Sequence, residues 1–193
     1  MVFSELKNSL FDKRGYAITT INPLKLHIGG KEKCSGWHIL DSLDSDVVDF
    51  LGECSDLSQF PDACCSKIYC SHVLEHLSHN GELETTLQGF HRILRPTGQL
   101  MISVPDLEIL CRIFCSPQLK INQKHFVMRM IFGGQIDQHD FHKTGFNYEI
   151  LKHYLTASGF NNVQKTADFD LFNDTSKLKV FGHAISLNII ATP

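Results

Sequence analysis

The sequence predicts an α/β protein built on a doubly wound, mostly parallel sheet that ends in an antiparallel strand pair. Three observations lead there. Short apolar runs with strand character alternate with helical patterns along the chain. One run, GQLMISVPD (98–106), is apolar almost throughout, as a strand buried on both faces must be. The last two runs are separated by the turn-rich NDTSKLKVFG, which lets them pair as a hairpin.

The elements follow in order. LKLHIGG (24–30) reads as a strand closed by two glycines, and WHILD (37–41) as a second strand ending on an acid. DVVDFLG (46–52) is the third and SKIYCSHV (66–73) the fourth. GELETTLQGFHRILRP (81–96) carries Leu83, Leu87, Phe90 and Leu94 at helical spacing, with acids early, arginines late and Pro96 as the stop. After the fifth strand (98–106), DLEILCRIFC and QKHFVMRMIF have helical patterns. The polar, glycine-bearing GGQIDQHDFHKTGF (133–146) follows them. NYEILKHYLTASGF (147–160) is an amphipathic helix stopped by Gly159, and NVQKTADFDLF and HAISLNIIAT are the final strands. The gap KEKCSG between the first two strands is shorter than the ~12 residues a parallel crossover usually needs. A covering helix there is therefore missing or reduced.

Length suits a single domain over 1–193, with an N-terminal arm (1–23) and a substrate-side insert (106–146). A net charge of −3 without a basic run gives no electrostatic case for nucleic acid. No apolar stretch approaches the ~20 residues of a membrane span, so no membrane partner is expected. The seven cysteines form no C-x-x-C and several lie in apolar runs, which suits free thiols in a reducing, cytoplasmic setting.

CSHVLEHLSH (70–79) has two readings. His72, Glu75 and His76 spell the inverted zinc-hydrolase motif H-x-x-E-H. Alternatively, the buried strand KIYC runs straight into a short turn beside a small-molecule site. A helix from 74 to 79 is too short for the zinc scaffold, and the second reading is preferred. A metal held by His139, His142 and a nearby aspartate has suitable residue types without diagnostic spacing, and no metal is assigned.

Five segments in this order, LHIGG, GWHILD, GECSDLSQF, IYCSHVLEHL and FHRILRPTGQLMISVPDL, resemble class I S-adenosylmethionine-dependent methyltransferases. Within that class they are similar to the small methyltransferase-11-like group, over roughly residues 24–191. The resemblance implies a Rossmann-like fold, S-adenosylmethionine as cofactor, and methyl transfer to a small-molecule or glycan acceptor. It also implies a glycine turn at Gly29 and Gly30, although His27 stands at the family's acid and Lys31 at its second glycine. A lysine there could attract the cofactor's carboxylate. Asp41, with Asp44 as fallback, is placed to accept ribose hydroxyls. Glu53 and Asp56 are the candidate acids for the adenine amino group, flanked by Cys54 and Leu57, while Ser71 and His72 would face the ligand.

Polar groups after the fifth strand suit an acceptor pocket: Gln135, Asp140, His142 and Lys143, with His76 and the turn residues Asn173 and Asp174. His142 and then His72 are the candidate general bases. The departures at His27 and Lys31 and the short crossover motivate a second reading, a methyltransferase-like fold that binds without catalysing. A zinc hydrolase is the third.

Overall fold

Seven strands form the central sheet: β1 (Leu24–Ile28), β2 (His38–Asp41), β3 (Phe50–Leu51), β4 (Cys65–Ser71), β5 (Leu94–Pro105), β6 (Asn161–Thr166) and β7 (Ser186–Thr192). Their spatial order in this computed structural model is β3-β2-β1-β4-β5-β7-β6. β1 to β5 are parallel, and β7 runs antiparallel between β5 and β6. This is the expected Rossmann-like sheet with its C-terminal antiparallel pair. The structure describes residues 23–193, together with the strand backbone of 10–11 and 17–18; the rest of the N-terminal arm lies outside the described residues.

Four helices accompany the sheet: α1 (Glu82–Ile93), α2 (Leu107–Phe114), α3 (Ile121–Phe132) and α4 (Tyr148–Ala157). In α1 the predicted stripe Leu83, Leu87 and Phe90 is fully buried. The helix stops at Ile93, and β5 begins at once with Leu94, so Pro96 lies inside the exposed start of that strand. Asp106 caps α2 by accepting from the N–H groups of Glu108 and Ile109. Asn147 caps α4 through Ile150.

Alternation along the strands divides the core in two. Leu26 and Ile28, Ile68 and Cys70, Leu100, Ile102 and Val104, and Leu187 and Ile189 pack with the apolar sides of α1 and α4. The opposite face presents Tyr69, Met101 and Ile190, and these pack with Cys34, Trp37, Phe169 and Phe172. Among the described residues no helix joins this second core. The connection 29–37 between β1 and β2 contains no helix, as its length implied, and the segment 167–178 folds over the sheet in its place. Helices α2 and α3 form a third, smaller core with Val180 and Ile185.

Beyond the early start of β5, three strand boundaries differ from expectation. β3 is reduced to Phe50–Leu51, because 42–49 is turn and coil. β6 ends at Thr166, where the side chain bonds the carbonyl of Asp168 and turns the chain away. Residues 183–184 leave the last strand for a two-residue pair with 179–180.

Candidate functional site

A cavity of about 470 Å³ opens at the C-terminal ends of β1 to β4. The chain leaves β1 in one direction to form β2 and β3 and in the other to form β4, and the cavity sits at that switch.

Gly29 makes the turn out of β1 with φ +71°, and a Cβ there would lie 2.8 Å from Val73 Cγ2. Only glycine meets both conditions without displacement. Asp41 ends β2 and is 7% exposed. Its Oδ2 accepts from Lys31 Nζ at 2.7 Å and its Oδ1 from the N–H of Leu43 at 2.9 Å. Glu53 and Cys54 follow β3, and burial, reinforced by Glu53, pushes the Cys54 thiol up to about 12, so it remains an unreactive neutral wall.

His72 leaves β4 with φ +53°, a strained geometry for a side-chain-bearing residue. Ser186 Oγ donates to the carbonyl of Thr175, so it accepts the His72 Nε2 proton at 3.0 Å. The other nitrogen, Nδ1, lies 3.2 Å from Glu75 Oε1. The turn Leu74–His76 that follows is fastened to the segment after α3. The Glu75 carbonyl accepts from the N–H groups of Lys143 and Thr144, Thr144 Oγ1 bonds the carbonyl of Leu77, and His76 Nδ1 bonds that of Phe141. Residues 136–141 thereby form the far wall of the cavity.

Gly29, Lys31, Asp41, Glu53, Cys54 and His72 from the expected cofactor set line this cavity, as do His76, Asp140 and Lys143 from the acceptor set. Others go elsewhere. A Cβ on Gly30 would strike the His27 ring at 2.7 Å, so this residue packs towards the aromatic core. Asp56 makes an exposed turn with the N–H of Ser58, and Leu57 is 3% exposed beneath Gly89 of α1. Ser71 lies beside Tyr69 and Asp174, on the other side of the sheet. Asp174 accepts from Tyr69 Oη at 2.6 Å; burial works against its charge, but bonds from Ser176 and Tyr69 hold its carboxyl below the usual range. Asn173 and Gln135 are exposed and are not among the cavity's walls.

Lys31 is also placed differently from expectation, with its ammonium on Asp41. His142 lines a second cavity of about 470 Å³ with Leu107, Cys111, Phe114, Met128 and Ile131, and burial lowers its pKa against the opposing effect of Glu75. Neither expected base therefore has a nitrogen open to the first cavity: His142 is outside it, and both nitrogens of His72 face protein groups. Leu40, Leu43 and Glu82 line the first cavity without having been singled out, whereas Val73 and Leu77 belong to the turn expected beside the ligand. The first three had no local signal and depended on the curl of the sheet.

A glycine turn, a carboxylate closing β2 and a crevice at the switch point define an α/β domain of the nucleotide-cofactor-binding class. The family described as methyltransferase domain matches residues 10–102. With the strand order, this match supports a class I methyltransferase fold of the methyltransferase-11 type. A comparison with curated protein sequences finds no match. Solved structures share the fold. A S-adenosylmethionine-dependent methyltransferase from Archaeoglobus fulgidus is 16% identical with TM-score 0.54, over 89% of this chain and 86% of its own. Human N-acetylserotonin methyltransferase in complex with S-adenosylmethionine is 14% identical with TM-score 0.51, over 88% of this chain and 47% of its own. A chain from the Haloferax volcanii complex of the Trm112 methyltransferase activator with a methyltransferase is 14% identical with TM-score 0.52, over 89% of this chain and 82% of its own. No helix among the described residues is long and apolar enough to cross a membrane.

Proposed function

We propose that this single-domain chain is a S-adenosylmethionine-dependent methyltransferase whose acceptor is a small molecule or glycan. The observation that carries the reading is Asp41, a buried carboxylate at the end of β2 that opens into a cavity at the switch point. The cofactor's fit is supported by the Gly29 turn, where backbone comes closest to a ligand, and by a volume within the ~300–1,000 Å³ of small-molecule sites. Asp41 would accept the ribose hydroxyl protons, Glu53 the adenine amino protons, and Leu40, Cys54 and Leu77 would enclose the ring. When bound, the cofactor supplies an electrophilic methyl group on a sulfonium. The chain's part is then to hold donor and acceptor in line and to exclude water, with the wall 136–141 closing the cavity and Asp140 and Lys143 facing the acceptor. No base is assigned to His72 or His142, for the geometric reasons given. The free state of all seven cysteines supports a reducing, cytoplasmic setting.

Two observations favour a second reading, a binding protein without turnover. Lys31 occupies Asp41, and the helix whose N-terminus would face an anionic cofactor group is missing from 29–37. Calorimetric titration with S-adenosylmethionine and its demethylated product tests both. Wild type should bind, and Asp41→Ala should lose roughly 10–100-fold in affinity through loss of a charge-assisted contact. No binding by wild type sinks the first reading. Binding without methyl transfer across an acceptor panel with labelled cofactor selects the second.

A further inference from the structure

Where the sequence offered two partial metal motifs, the fold joins half of each. His72 of H-x-x-E-H bonds Ser186 through Nε2 and keeps Nδ1 3.2 Å from Glu75, while Glu75 and His76 meet His142 from the segment after α3. We propose that Glu75, His76 and His142 form a binding site for a divalent cation of the zinc class, on the wall where the two cavities adjoin. One donor atom from each residue lies within 4.8 Å of the others. Zinc at ~2.1 Å from each would bring them to roughly 3.4 Å apart, a closure of about an ångström or more that side-chain rotation supplies.

Three independent features point to a cation. First, Glu75 is 1% exposed and neither carboxylate oxygen makes a hydrogen bond; His72 Nδ1, 3.2 Å from Oε1, lacks the geometry for one. A buried carboxylate that makes no hydrogen bond and has one histidine nitrogen beside it is costly, and a coordinated cation removes that cost. Second, both imidazoles are anchored as metal ligands are. His76 Nδ1 is bonded to the carbonyl of Phe141, and the His142 ring to the backbone of Ile131, leaving each ring a second nitrogen for coordination. The rings meet edge to face with centroids 4.9 Å apart. Third, the N–H groups of Lys143 and Thr144 donate to the backbone carbonyl of Glu75, and Thr144 Oγ1 to that of Leu77, so the two segments are in register before any ion binds.

The donor set selects the ion. Two imidazole nitrogens and one carboxylate suit zinc, whereas magnesium and calcium take oxygen ligands. Three protein ligands leave a fourth position for water or a ligand heteroatom. His76 lines the first cavity, His142 the second and Lys143 both, so that position lies between them.

The site does not depend on the methyltransferase reading, and its test reads metal alone. Purified full-length protein is stripped with chelator and titrated with zinc chloride, then with magnesium chloride. A single zinc per chain should bind, with no competition from excess magnesium. His76→Ala and His142→Ala should each weaken zinc by more than roughly 100-fold, beyond the loss caused by removing an outer-shell partner. His139→Ala, on the neighbouring exposed loop, should leave it unchanged. Imidazole-proton NMR of the wild type guards against a variant that fails to fold: zinc should shift the His76 and His142 resonances and spare His139. Absent or non-stoichiometric zinc, or shifts at His139 in place of His76 and His142, would mean an adventitious ion only and overturn the proposal.

Discussion

His27 offers a test of the aromatic core that stands in for the missing helix. Its ring is 7% exposed, lies 4.2 Å from Phe172 and 5.0 Å from Tyr69 between centroids, and its Nδ1 has no hydrogen-bond partner. Burial lowers its pKa from 6.5 to about 4; Asp174 works against that shift and Lys31 adds to it. The folded chain therefore keeps this imidazole neutral where the unfolded chain protonates it. Stability from this group is fully present above about pH 6.5 and is lost as pH falls towards about 4, because the unfolded state binds more protons in that window. At ~1.4 kcal/mol per unit, about 3 kcal/mol is at stake, most of it gone by roughly pH 4.5. His27→Phe retains an aromatic ring and sacrifices no hydrogen bond at Nδ1. Urea unfolding followed through Trp37, the sole tryptophan, should show the variant at least as stable as wild type at about pH 7.5. Between about pH 7.5 and 4.5 it should lose roughly 2–3 kcal/mol less than wild type. Parallel pH dependences would refute the argument, since His27 would then be hydrated or protonated in the fold.

Substitutions at two other residues bear on the same neighbourhood. Lys31→Ala removes an ion pair whose cation is 72% exposed, so S-adenosylmethionine affinity should stay within roughly fivefold. Lys31→Glu sets a second carboxylate beside buried Asp41 and should cost roughly tenfold or more by calorimetry; equal affinities for the two variants would detach Lys31 from the cavity. Tyr69→Phe deprives Asp174 of its 2.6 Å bond and should lower stability by about 1–2 kcal/mol, measured from the urea midpoint. A negligible loss would show that Ser176 alone satisfies that carboxylate.

What the sequence made legible was whatever local pattern controls. The stripe in α1, the near-continuous apolar run of β5 and the carboxylate closing β2 each follow from spacing, and together they set sheet order and cavity position. Even the missing helix was readable, because KEKCSG is too short to hold one. What replaces it was not. ADFDLF alternates like a strand, and nothing local shows that the chain turns at Thr166 and lays Phe169 and Phe172 across β1 and β4. That choice is tertiary: His27, Tyr69 and Met101 share one face of the sheet, and Trp37 covers it together with Phe169 and Phe172 from a segment far along the chain.

The same distance hid the convergence of Glu75 and His76 with His142, whose halves were each recognisable and whose union required the clamp between Glu75, Lys143 and Thr144. These two long-range events have opposite consequences for the cavity. Aromatic cover leaves the Gly29 turn without a helix dipole, so attraction for an anionic cofactor group must come from side chains. Lys31 is placed for that purpose only if a ligand displaces it from Asp41, whose remaining bond to Leu43 would hold the carboxylate in position for a ribose. Cofactor binding in the proposed mode would thus open one ion pair, a small cost for a lysine so exposed, and would free its ammonium to meet the anionic group.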